Sequence, residues 1–69
     1  MFTAIYKKTK SGYVAWVEEV PGVNTQGTTK RDAAENLRDA MKEFVATRRA
    51  LTRKTYQKDQ ISRQRLSLA

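Results

Sequence analysis

Apolar and polar residues alternate loosely at the start of the chain, then give way to a three-and-four-residue step further along. From Phe2 to Lys8, Phe2, Ala4 and Tyr6 fall on one side and Thr3, Ile5 and Lys7 on the other, the period-two pattern of a strand. Thr9-Lys10-Ser11-Gly12 reads as a polar turn. Tyr13 to Glu19 is β-branched or aromatic with apolar groups on both faces: Tyr13, Ala15 and Val17 oppose Val14 and Trp16. Such a strand belongs at the centre of a sheet. Val20-Pro21-Gly22-Val23 sets Pro where φ is fixed and Gly where φ must be positive, which predicts a type II turn. Val23 to Thr28 is a third, more polar strand, with Gly27 marking a bulge or a close backbone approach.

Thr29-Lys30-Arg31-Asp32 has the form of a capping box, so a helix is predicted to start there. Ala33, Leu37, Ala40, Met41, Phe44 and Val45 recur at helical spacing, while Glu35, Arg38, Asp39, Lys42 and Glu43 occupy the wet side. A strand of about seven residues spans roughly 23 Å, which about fifteen helical residues cover, so Val45 marks the sheet's reach and a longer helix overhangs it. No Gly or Pro stops the helix beyond Leu51. Weak alternation from Ile61 to Leu68 admits a fourth strand at 61–68. The expected fold is α+β, β-β-β-α(-β), with one helix on a small antiparallel sheet.

The chain has 69 residues, enough for one domain (1–69), divided into a sheet-plus-helix core at 1–47 and a basic C-terminal extension at 48–69. The net charge of +7 is unevenly spread. Through Thr47 seven basic residues meet six acidic ones, whereas from Arg48 onward seven basic residues meet only Asp59. The excess belongs to the extension. With neither Cys nor His, disulfides and thiolate or imidazole metal sites are excluded, so no metal or cofactor is expected and association is the remedy for a small core. No run of 18 apolar residues occurs, and Met1 to Lys10 lacks a secretory apolar stretch, so a soluble cytoplasmic protein without a membrane role is expected.

The string Gly12-Tyr13-Val14-Ala15-Trp16-Val17-Glu18-Glu19-Val20-Pro21-Gly22-Val23-Asn24-Thr25-Gln26-Gly27-Thr28-Thr29, continued by Ala33, Ala34, Glu35, Asn36, Leu37 and Ala40, resembles the HicB-like antitoxin family. The shared features are a Gly-Tyr-x-Ala start to the second strand, a Pro-Gly turn, a Thr-x-Gly-x-Thr approach to the helix and an Ala-rich first helical turn. The resemblance spans residues 1 to about 46. It implies a partial RNase H-like fold and a non-catalytic partner of a HicA-like toxin, a small messenger-RNA-cleaving protein whose RNA-binding surface the antitoxin covers. Two departures stand out. Lys30 and Arg31 take early helix positions where the family commonly has acidic residues, and the extension is too short for the separate DNA-binding module many members carry.

Catalysis of the RNase H type needs converging carboxylates on two metals. Glu18 and Glu19, read as consecutive strand residues, point to opposite faces, and Glu35, Asp39 and Glu43 lie on the wet helix flank, so no enzyme is expected. Candidate partner-binding residues are Tyr13, Trp16, Glu18 and Glu19; at most one of the two rings lies under the helix, and the carboxylates suit a basic toxin. Arg48, Arg49, Arg53, Lys54 and Lys58 either contact nucleic-acid phosphate or form a solvated helix end that complements the dipole. Leu51, Tyr56, Ile61, Leu66 and Leu68 lie outside the helix-on-sheet unit and are candidates for a homo-oligomer interface, dimer or tetramer. The alternative to an antitoxin is a homo-oligomeric nucleic-acid-binding or structural protein of the same fold without a toxin partner.

Overall fold

The computed structural model describes residues 2–66. Strand β1 (Ala4–Thr9) turns through Lys10 and Ser11 into β2 (Gly12–Val17), which is followed by β3 (Asn24–Gly27) and a single long helix, α1 (Lys30–Thr55). The sheet is antiparallel throughout, in the order β1-β2-β3, so β2 is central, as its two apolar faces require. The architecture is α+β, β-β-β-α.

Register decides the two faces of the sheet. Ala4 pairs with Val17, Tyr6 with Ala15 and Ala15 with Thr25; these residues face the helix. Ile5 pairs with Trp16, Lys7 with Val14, Val14 with Gln26 and Trp16 with Asn24, and this set lies on the face the helix does not cover. Of the two aromatic residues on β2, Tyr13 therefore packs against the core and Trp16 does not, its side chain remaining 36% exposed. The core is small: Ala15, Val17, Val23, Ala33 and Leu37 are buried, with Tyr6, Tyr13, Val20, Ala40, Met41 and Phe44 packed around them.

β1 is shifted towards Thr9 relative to the predicted Phe2–Lys8, whereas β2 and β3 end earlier than alternation alone predicts, at Val17 and Gly27. The Val17 amide donates to the Val23 carbonyl at 3.3 Å and the Val20 amide to the Val17 carbonyl at 3.2 Å, which closes the β2–β3 connection just after Val17. Glu18 and Glu19 thus sit in the turn and are not strand residues on opposite faces. Gly22 takes φ +88°, the left-handed value the Pro-Gly turn demands.

Thr29 caps α1 from an extended conformation (φ −125°, ψ 163°), and its hydroxyl accepts from the Asp32 amide at 3.1 Å. The reciprocal half of the predicted capping box is replaced. The Asp32 carboxylate accepts from the Thr28 hydroxyl at 2.9 Å, one residue before the cap. Helix and β3 are then tied twice more: the Thr25 hydroxyl donates to the Ala33 carbonyl at 3.1 Å, and the Asn36 amide group donates to the Gln26 carbonyl at 2.9 Å. The helix accordingly lies over β2 and β3 and only brushes β1.

At ~1.5 Å per residue the 26 residues of α1 extend about 39 Å, roughly twice the length of a six-residue strand. Half-burial ends at Val45, and among the later helix residues Thr52 alone is partly covered. The core–extension boundary at 47/48 thus falls inside a continuous helix. The fourth strand admitted at 61–68 does not form over residues 61–66, which lack regular structure, and the rest of that segment lies outside the described residues. Ile61 and Leu66 fall on opposite sides of any strand drawn there, so residues 61–66 by themselves offer no continuous apolar face to bury. Among the described residues no helix is long and apolar enough to cross a membrane.

Candidate functional site

The four predicted partner-binding residues separate into two pairs. Trp16 and Glu18 line a common hollow beside the β2–β3 turn, together with Val14, Val20, Pro21 and Asn24. This hollow opens from the uncovered sheet face, where Ile5 stands directly across from Trp16 and Val14 lies next to it on the same side of β2. An aromatic ring opposite a β-branched residue is a favourable cross-strand pair. Here it also forms a continuous apolar surface with a carboxylate at its end.

Tyr13 and Glu19 belong elsewhere. Tyr13 is core, and the Glu19 carboxylate accepts the Thr3 amide at 2.7 Å, while the neighbouring Glu18 amide donates to the Thr3 carbonyl at 2.9 Å. Glu19 thus anchors the entry to β1. Hydrogen bonding from the Thr3 side chain, then from its backbone amide, holds the Glu19 carboxyl below the usual carboxylate range. A charge already satisfied by its own chain is a poor recruiter of a partner, whereas the Glu18 carboxylate has no hydrogen-bond or ion-pair partner among the described residues. Ile5 and Val14, which the pattern did not single out, join the surface because register brings them beside Trp16.

The predicted basic series does not form one stripe. At about 100° per residue, Arg48, Arg49, Arg53 and Lys54 point in directions spread around the helix, and Lys58 lies in the turn after it. Arg48 is engaged with Phe44, its guanidinium carbon 5.3 Å from the ring centroid. Arg49 and Arg53, one turn apart, share a side. The chain beyond the helix returns against that side and sets Arg63 and Arg65 opposite them, so that the four residues line a hollow of about 780 Å³ with Ala46 and Gln64. Arg63 and Arg65 were not predicted, because no local pattern in the tail shows that it folds back.

The residues expected at a homo-oligomer interface are exposed: Leu51 is 50% accessible, Tyr56 and Ile61 are comparable, and Leu66 reaches 83%, while Leu68 lies outside the described residues. Leu51 follows Ala33 by five turns of ~3.6 residues, so it continues the sheet-facing stripe past the end of the sheet. Tyr56 caps the helix, its amide donating to the Thr52 carbonyl at 3.0 Å.

Among the described residues no group of three Asp, Glu, His or Cys side chains is placed to hold a metal ion. The sole ion pair among them, Arg31–Glu35 at 3.4 Å, is an exposed i,i+4 contact worth a few tenths of a kcal/mol. No protein-family model matches the chain, and no curated protein or solved structure matches it either.

Proposed function

We propose that this chain is a non-catalytic, HicB-like antitoxin of the partial RNase H-like type, acting in the cytoplasm, which binds a HicA-like messenger-RNA-cleaving toxin and covers its RNA-binding surface. The observation that carries the reading is the uncovered sheet face: Ile5, Val14 and Trp16 present an apolar patch with Glu18 at its end. A surface that binds RNA phosphates is basic, so the Glu18 carboxylate at the edge of the apolar patch suits it in charge, although Lys7, across from Val14 on the same face, offsets part of that attraction. Inhibition is then steric and electrostatic, with no chemical step on this chain.

The resemblance adds a second line of support. The Gly-Tyr-x-Ala segment opens β2, Gly22 carries the positive φ of the Pro-Gly turn, and Gly27 lies against the start of a helix capped by Thr29. Self-association through the helical overhang completes the proposal: Leu51, Tyr56, Ile61 and Leu66 are apolar area left in water by a chain with a small core.

The test is co-expression with a small basic HicA-like protein from the neighbouring reading frame. Growth rescue and a stable complex are expected with the native chain, and both should be lost in Trp16→Ser, with circular dichroism checking that the variant, which also loses the Ile5 cross-strand pair, keeps its fold. A folded native chain that neither rescues growth nor co-purifies with such a toxin overturns the reading.

A further inference from the structure

The geometry points to a phosphate-backbone site for nucleic acid in the hollow between the C-terminal half of α1 and the returning chain, held by Arg49, Arg53, Arg63 and Arg65. Four arginines from two segments separated by a turn line it. The first pair projects from one side of the helix, and the second arrives from the residues that fold back over it. None of the four takes part in an ion pair among the described residues. Asp59, the one acidic residue of the extension, does not line the hollow.

Convergence of like charges is unfavourable unless an anion neutralises it. The helix dipole offsets part of the repulsion at Arg53, in the last turn of α1, but it does nothing for Arg63 and Arg65. What meets all four is a run of phosphates. The guanidinium fork matches phosphate oxygens bidentately, which an ammonium does not, and the hollow is lined by arginine with no lysine. The hollow, about 780 Å³, is open to solvent along its length, so a polymer backbone can enter it without threading. About half of the lining is apolar, from Ala46 and the aliphatic stems of the arginines, so the case for phosphate rests on the four charges and not on a lack of apolar surface. Gln64 is the one uncharged polar side chain present and has both a donor and an acceptor for a sugar or base edge. Readout is therefore mainly of the backbone and largely independent of sequence.

This site shares no residue with the Trp16 surface, so it stands or falls apart from the toxin proposal. It also revises the set of basic residues: Arg48 is stacked on Phe44, and Lys54 and Lys58 do not line the hollow.

The experiment measures binding of the full chain to a labelled single-stranded RNA, a single-stranded DNA and a DNA duplex of equal length by fluorescence anisotropy, at about 50 and 200 mM salt. Four phosphate contacts predict a loss of affinity between these salts of about 50-fold for single strands and about 150-fold for duplex. The double variant Arg63→Ala/Arg65→Ala should halve the logarithmic salt slope, whereas Lys7→Ala/Lys8→Ala, which removes equal charge from β1, should leave it unchanged. Both pairs of side chains are exposed, and circular dichroism checks that each variant keeps its helix. Equal weakening by the two double variants would mean that net charge alone binds and would overturn the site. So would no binding at the lower salt, or preference for anionic lipid vesicles over every nucleic acid.

Discussion

Gly27 lies so close beneath the first turn of α1 that a Cβ built on it would stand 2.5 Å from the Ala33 backbone nitrogen. The obstacle is backbone held by the Thr25–Ala33 hydrogen bond, and it cannot swing away as a side-chain tip would. Gly27→Ala is expected to cost about 2–3 kcal/mol, an overpacking penalty. Gly22→Ala meets open space and costs only the strain of its φ of +88°, about 1 kcal/mol. Thermal unfolding of both variants checks the order, at roughly 4–8 °C per kcal/mol for a domain of this size.

The helix start depends on one hydroxyl. Thr29→Ala removes the acceptor for the Asp32 amide and should cost about 1 kcal/mol, as lost N-caps do. Thr28→Ala removes only an exposed side-chain contact and should cost about 0.5 kcal/mol or less. Urea denaturation separates the two, and equal effects would mean that Asp32 is held from Thr28.

Glu19 predicts a specific acid response. Its carboxyl is held below the ordinary value, so the folded state binds the proton more weakly than the unfolded one. That contribution is complete above the unfolded carboxylate pKa of about 4.3 and is lost as pH falls through the depressed folded value. Glu19→Gln should therefore lower stability near neutral pH and flatten the acid limb of a denaturation series. The two proteins should converge at the lowest pH.

Leu37 and Leu51 share one chemistry and differ in surroundings. Leu37 is 4% exposed and Leu51 50%. Leu37→Ala is expected to cost about 2–4 kcal/mol at any protein concentration. Leu51→Ala should be nearly neutral in dilute solution and, under the proposed self-association, increasingly destabilising as concentration rises. Sedimentation of the native chain alongside denaturation at several concentrations reads both effects.

Much of the fold was legible in the residues because its signals are local. The Pro21-Gly22 turn needs one positive φ, the Thr29 cap spans three residues, and the Ala33–Phe44 stripe repeats within four. The overhang past Val45 followed from rise per residue alone. The candidate site was only half legible. Trp16 and Glu18 line one hollow, but Tyr13 is core and Glu19 is occupied by Thr3, sixteen residues earlier.

By itself the sequence determined the order of the elements, their turns, the start of the helix and the concentration of charge in the last third, all interactions between near neighbours along the chain. Tertiary structure alone decided which face of β2 the helix covers, since both faces are apolar and alternation cannot choose between them. It alone decided that Arg63 and Arg65 return to Arg49 and Arg53, because where a tail packs depends on surfaces that exist only after the helix has formed.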